Sequence, residues 1–445
     1  MPGTGRSAIM KRFYKKVGKN TMEQTKKSDA AYGCFLIIPL KYDPDSFDQA
    51  RLEQIGSCMS MTTMDLNENI KAMLSPSGEA AVGKGYLVAS DMLTAPLRGQ
   101  SEKSAVRAFQ VCDGIGSYTF ELDDSWLYIF HTRVAFLCLN LSFSRMEALK
   151  AICNPGWAHN NASFDWLERA GEPHPFDMEQ WLSAFLTPLG LRKFFDGDAS
   201  FLLDAYVYVF AVVPQWFDEL EQMRRIVFNL HKMMPLDAPM EDAAEEDIRY
   251  VYAAKNQNQN AYRWGCCVTS QTISYVIADE DMNFTAQRDA QAADGLPVVL
   301  LSLYEKYTCL RFTELITRMK KEQIKELKNL MLNFQAFGTV TPANLSRWHN
   351  VKQIYANLLD VNDIPAAIQD ISVKLSILTA HQEAIERARS ETVINLITLF
   401  GIVSILASVL SIVQILADGD LLIWASTIFT AIMLALVTVL AILRR

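Results

Sequence analysis

The sequence predicts an α/β or α+β N-terminal domain, a long helical stalk and two C-terminal transmembrane helices. Three observations predict it. Val393–Leu416 and Leu421–Leu443 carry no charged residue, and each exceeds the roughly 20 apolar residues that cross a bilayer core. No Pro or Gly interrupts the chain between Pro365 and Gly401, so the first span continues a helix that begins well upstream. Before residue 296, short apolar runs alternate with segments of helical periodicity, the pattern of strands and helices layered in one domain.

In chain order, residues 1–30 hold eight Lys/Arg against two acidic residues and no apolar run. They read as a disordered basic arm rather than a signal peptide, with attraction to anionic lipid as the alternative. Residues 31–295 form the predicted cytoplasmic domain. Its strands fall at Tyr32–Leu40, Gly85–Val88, Ala105–Val111, Ser117–Leu122, Trp126–Asn140, Ala205–Val213, Ile248–Ala253 and Cys266–Ile277. Helices are predicted over Phe47–Ile55, Leu66–Met73, Arg145–Ile152, Met178–Phe195 and Phe217–Met234. Gly83-Lys84-Gly85 is too short for a phosphate-binding loop and lacks the following Ser/Thr, so it reads as a turn.

Residues 296–392 form the predicted stalk. One helix runs from Pro297 to about Phe337, with Lys320, Lys321, Lys325 and Lys328 on its surface, and ends at Gly338 and Pro342. A return helix covers Asn344–Leu359. Asp363 is placed as N-cap of the long helix, with Pro365 in its first turn. Ile368, Ile371, Leu375, Leu378 and Ile385 then recur at steps of three and four, apart from Gln382 in one slot. That face packs against copies of itself or neighbouring helices, or lies on the domain's own core.

Within the first span (393–416), Thr398, Gly401, Ser404, Ser408 and Ser411 occupy one broad face, with Asn395 near an end of the span as a further pore-lining candidate. Small and hydroxyl residues so placed let helices approach closely or line a wet path for ions. Residues 417–420 form a tight external turn, where Asp418 and Asp420 make an acidic pore mouth or simply keep the turn in water. The second span covers 421–443. Arg387 and Arg389 before the first span, and Arg444 and Arg445 after the second, predict cytoplasmic termini on a multi-pass protein of the plasma (inner) membrane.

The 445 residues are 50% apolar with a net charge of −8, so nothing favours nucleic acid as a partner; the spans and polar stripe make lipid and inorganic cations the expected ones. Eight scattered cysteines without a CxxC fit a reducing compartment. The six histidines lack metal-ligand spacing, and no nucleophile motif is present, so no catalytic residue is predicted. Asn256, Asn258, Asn260, Tyr262, Arg263 and Trp264 combine amides, a cation and aromatic rings. They can hold a nucleotide by stacking and edge hydrogen bonds, or form a solvated hairpin tip. Glu241-Asp242 with Glu245-Glu246-Asp247, and Asp279-Glu280-Asp281, are either hard-cation ligands or solvated loops.

A large soluble domain, a stalk helix entering the first of two spans, a tiny external turn and a basic tip resemble the CorA divalent-cation transporters. Leu300–Leu310 (LLSLYEKYTCL) is similar to the helix that starts that family's stalk bundle, and Trp348–Leu359 to the one that follows. The family's Gly-Met-Asn entrance is replaced here by Ala417-Asp418-Gly419-Asp420. The resemblance implies a funnel-shaped homo-pentamer passing Mg2+ or a similar divalent cation. An enlarged cytoplasmic domain on a hairpin lacking Gly-Met-Asn further resembles CorA-like antiviral effectors encoded beside type III CRISPR systems. That likeness implies switching by a nucleotide second messenger, a conjugate of S-adenosylmethionine and AMP.

Overall fold

A computed structural model describes residues 30–59, 65–75, 81–98, 106–153, 162–168, 171–197, 200–239, 248–255, 260–318 and 323–416, with 419, 423–424, 426–432 and 435 beyond. The chain divides into two compact units, one of residues 1–318 with 329–371, the other of 319–328 with 372–445.

The first unit begins with β1 (Ala31–Tyr42), α1 (Gln49–Ile55), β2 (Gly56–Met59), α2 (Glu68–Leu74), β3 (Gly83–Val88) and α3 (Ser90–Arg98). Next come β4 (Ala108–Cys112), β5 (Ser117–Leu122), β6 (Ser125–Phe130), β7 (Val134–Phe143), α4 (Met146–Cys153), β8 (Ser163–Leu167) and β9 (Pro173–Phe176). Then follow α5 (Met178–Leu186), β10 (Leu191–Lys193), β11 (Tyr206–Val213), α6 (Leu220–His231), β12 (Arg249–Tyr252), β13 (Trp264–Val268) and β14 (Thr272–Ala278). The helical part comprises α7 (Phe284–Ala290), α8 (Leu296–Arg318), α9 (Ile324–Asn333), α10 (Pro342–Leu345), α11 (His349–Val361) and α12 (Ile364–Leu416).

Fourteen strands share one sheet among the described residues. Its path runs β12-β13-β14-β11-β1-β7-β5-β4-β8-β9. Every pairing is antiparallel except that of β11 with β14. The centre is β1 against β7, because an apolar run such as Tyr32–Leu40 needs cover on both faces. Each of the two strands divides its outer edge between two neighbours. Ala31–Ile37 of β1 pairs β11 and Leu40–Tyr42 pairs β10; β7 gives its first half to β6 and its last residues to β5.

Alternation fixes what each face meets. Cys34, Leu36, Ile38 and Leu40 join one core with Leu149 of α4, Leu182 of α5 and Val227 of α6. On the opposite face Phe35 touches the rings of Trp126, Tyr208 and Phe210 at 5.3–5.5 Å. Farther along that face Phe130 stacks on Tyr304 of α8 at 4.4 Å, and Phe136 meets Tyr307 edge-on. The sheet therefore lies between two helical layers. Side-chain caps set several helix starts: Asp48, Asp177 and Asn283 accept the N–H groups of Arg51, Gln180 and Ala286.

The end of β1 is ionic. Lys41, almost wholly buried, reaches Glu314 at 2.8 Å and Asp196 at 3.0 Å. Arg311, equally buried, holds Glu314 and Asp43, each at 2.7 Å. Two charges this far from water persist because each has opposite charge within hydrogen-bond reach.

Several elements depart from the sequence expectation. Trp126–Asn140 is a hairpin, broken where Arg133 adopts φ 68°. Cys266–Ile277 is likewise two strands, joined around Thr269. The helix expected over Met178–Phe195 stops at Leu186; a 3-10 turn follows, and Gly190 at φ 74° turns the chain into β10. Gly83-Lys84-Gly85 is strand, not turn. A Cβ at Gly83 would lie 2.4 Å from the Ile129 carbonyl, so glycine lets β3 approach β6. The helix expected over Pro297–Phe337 is described as α8, α9 and a wide π-turn at Phe334–Gly338. Residues 319–322, including Lys320 and Lys321, lie outside the described residues, as do residues 1–29.

In the second unit, α12 carries on without a break. Its 53 residues extend about 80 Å at ~1.5 Å per residue. It is the one helix among the described residues that is long and apolar enough to cross a membrane. Residues 423–424 and 426–432 are also helical. The remainder of the expected second span, with Asp418, Asp420, Arg444 and Arg445, lies outside the described residues.

Candidate functional site

Two features of the chain carry chemistry, one in each unit. In the first unit an open cleft of about 430 Å³ is walled by the sheet on one side and helices on the other. β13 and β14 supply Trp264, Tyr275 and Ile277; α7 supplies Gln287 and Ala290; α11 supplies Asn350, Val351 and Ile354. Trp348, Asp65 and Arg263 stand at its margins, and Asp294 and Gly295 complete the wall before α8.

The local fold explains the placement. Between α7 and α8 the helix widens into a five-residue π-turn, Gln291–Gly295. At Gly295 a Cβ would lie 1.9 Å from the Tyr208 hydroxyl, so only glycine leaves room for it. That hydroxyl donates to Gln291 Oε1 at 2.6 Å, which leaves the amide's NH2 as its remaining polar group. One turn earlier, Gln287 Nε2 donates to Asp279 Oδ2 at 2.8 Å, leaving its oxygen. The cleft wall thus offers a donor and an acceptor one helical turn apart, beside the rings of Trp264 and Tyr275. Trp264 and Tyr275 lie 6.1 Å apart, and the Arg347 guanidinium covers the Trp348 ring at 4.8 Å. Burial, with the charge of Asp294, pushes the Asp65 carboxyl up, against Arg347, a hydrogen bond from Trp348, and Lys71.

Of the residues expected to bind a ligand, Arg263 and Trp264 reach the cleft. Tyr262 does not: its backbone bridges Phe217 on another side of the strand end, and Lys255 covers its ring at 5.6 Å. Asn260, at φ 51°, makes an exposed turn. Asn256 and Asn258 lie outside the described residues. Tyr275, Trp348 and the two glutamines were not anticipated. The spacing Gln287–Gln291, four residues apart in a helix, was the available signal.

Neither acidic cluster forms a described cation site. Residues 241–247 lie outside the described residues. Asp279 spends its oxygens on the Asp281 N–H and on Gln287. A different group, Glu168, Glu172 and His174 on the β8–β9 hairpin, has ligand atoms within 4.8 Å of one another; His174 stacks on Trp166 at 4.1 Å.

In the second unit α12 presents bare apolar surface. Ile397 is 65% exposed and Phe400 67%, and Val393, Ile394, Ile405, Val409 and Ile412 are exposed as well. Asn395, Thr398, Gly401, Ser404, Ser408 and Ser411 all lie exposed. Leu399, Val403 and Leu406, on the opposite side, are half-covered. Ser408 and Ser411 donate to the carbonyls of Ser404 and Ala407 at 2.9 Å, the back-bond to residue i−4 that helical hydroxyls make. At the base of the helix, Ile371 is buried to 1% exposure and Leu375 to 6%, while Ile368, Leu378 and Ile385 are half-covered. The apolar seam is therefore partly covered within a single chain. Compared with family models, curated proteins and solved structures, the chain finds no match in any of the three.

Proposed function

We propose that this chain is one subunit of a CorA-like homo-oligomeric cation channel or transporter, gated by its N-terminal unit. The single observation that carries the proposal is α12. A helix of 53 residues leaves the soluble unit, and its second half exposes Ile, Val, Leu and Phe around a stripe of small and hydroxyl side chains. Exposed apolar surface of that extent calls for lipid. In this reading Leu421–Leu443 returns as the second span, and both termini lie on the cytoplasmic side of the plasma membrane. Several copies, five by resemblance, bring Thr398, Gly401, Ser404, Ser408 and Ser411 to an axis. Asp418 and Asp420 ring its mouth, concentrating Mg2+ or similar cations.

The cleft is then the seat of the activator. Arg263 meets a phosphate, Trp264 or Tyr275 stacks a base, and Gln287 and Gln291 read its edge. By resemblance to the type III CRISPR-associated proteins, the activator is a nucleotide second messenger and the role is antiviral. One observation favours a second reading, a non-conducting membrane-anchored sensor: the hydroxyls of Ser408 and Ser411 are satisfied within their own helix.

Full-length protein in planar bilayers separates the two readings. The channel predicts cation-selective conductance that responds to nucleotide, and weaker selectivity after Asp418→Asn with Asp420→Asn at low salt. Incorporated protein that never conducts, or a particle of single-chain mass in detergent, refutes the channel.

A further inference from the structure

We infer that α11 transmits occupancy of the cleft to the base of α12, an inference that rests on reading the cleft as a ligand site. The geometry is that of two helices clamped along their length. Both start at the cleft: Val298 lines it from α8, and Val351 and Ile354 line it from α11. Farther from the cleft, side chains tie the two together. Tyr355 donates from its hydroxyl to Glu305 Oε1 at 2.8 Å, and Lys306 Nζ donates to Asn362 Oδ1 at 2.8 Å.

Asn362 is not an ordinary position. It and Asp363 are the only residues between α11 and α12, and Asp363 holds a left-handed φ of 51°. A left-handed conformation costs a non-glycine residue free energy, so surrounding contacts must hold it. Two backbone bonds do so: Asp363 N–H to Asp360 O at 3.1 Å, and Ala367 N–H to Asp363 O at 3.0 Å. Buried Ile364 and Ile371 anchor the first turns of α12 in the same unit.

A helix is stiff and a packed core yields little, so a shift at one end of α11 is relieved at its far end. A ligand wedged between the starts of α8 and α11 loads the Lys306–Asn362 bond and the left-handed turn. Occupancy thus biases the turn from which α12 departs.

Hydrogen exchange of the full-length protein in detergent, followed at residues 362–367, tests this. Two substitutions fill the cleft without any ligand: Val351→Trp from α11, and Ala290→Trp from α7, where the exposed side chain tolerates bulk. Either wedge is expected to change exchange at 362–367 by about fivefold or more, the low end of ordinary coupling, while β1 and β7 stay protected. Adding Lys306→Met is expected to remove most of that response. AMP, the probe for the ligand itself, is expected to act as the wedges do. Unchanged exchange in both wedge variants, or a full response without Lys306, overturns the inference. If the wedges act and AMP neither binds nor changes exchange, the coupling is supported and the nucleotide reading fails.

Discussion

Tyr355 donates its hydroxyl hydrogen to Glu305 at 2.8 Å, inside a junction where the Val340 N–H reaches the same oxygen. No cation accompanies the carboxylate in those bonds, and its second oxygen has no partner. Burial pushes the Glu305 carboxyl up to about 8, against the bonds from Tyr355 and Val340.

The folded chain therefore holds this proton over a pH range in which the unfolded chain, near the ordinary 4.5, has lost it. The resulting stability is complete below about pH 4.5, declines as pH rises, and is gone above about pH 8. The slope is at most about 1.4 kcal/mol per pH unit. Glu305→Gln is neutral throughout and should flatten the dependence of melting temperature on pH across that window. A variant that keeps the wild-type slope would show that other groups set it.

Glu314 serves two buried cations at once. Glu314→Gln leaves Lys41 and Arg311 short of charge and should cost about 3 kcal/mol in denaturant unfolding. Asp196 binds the same Lys41 from a half-exposed position. Asp196→Asn should cost under about 1 kcal/mol, as expected for a solvent-screened pair. Equal losses would contradict the difference in burial.

Gly83→Ala places a methyl group against the Ile129 carbonyl and the Phe130 ring. Two backbones would have to separate, at about 1–3 kcal/mol. Gly114→Ala, in a left-handed turn with nothing within 4 Å, suffers only backbone strain and should cost less. Paired melting curves make the comparison.

Arg263 and Trp264 should control nucleotide affinity in different ways. Arg263→Ala is expected to weaken AMP binding about tenfold, with little effect on adenosine, because only the phosphate is lost as a partner. Trp264→Ala should weaken both. Titration calorimetry distinguishes the two patterns.

On α12, cysteines at Ser404 and Ser408 should react with small hydrophilic thiol reagents in membranes. Cysteines at Val403 and Leu406, on the half-covered side, should stay protected. Equal protection at all four would favour close helix packing over a wet axis.

The sequence made long-range periodicity easiest to read. β1, β11 and the unbroken run of α12 stood out because burial on both faces, or in lipid, leaves an uninterrupted apolar signature. Hairpins were harder: Trp126–Asn140 and Cys266–Ile277 read as single strands because their turns use Thr132-Arg133 and Thr269-Ser270-Gln271 rather than Gly, Pro or Asn. β8, β9, α3 and α7 went unread because they are short and bury few residues. Half of the cleft was legible as Arg263-Trp264. The other half comes from the next strand and from helices farther downstream, and only tertiary packing brings Tyr275, Gln291 and Trp348 to the same hollow.

The division of β1's edges between neighbours has a consequence during synthesis. All of its partners come later: β7 at Val134–Phe143, β10 at Leu191–Lys193 and β11 at Tyr206–Val213. At ordinary elongation rates the ribosome needs on the order of 5–20 s to produce β7 after β1 has been made. Through that interval Phe35, Leu36, Ile37 and Ile38 form a naked, aggregation-prone edge. Slowed translation between residues 42 and 134 is therefore expected to lower the yield of folded protein more than an equal pause after residue 213.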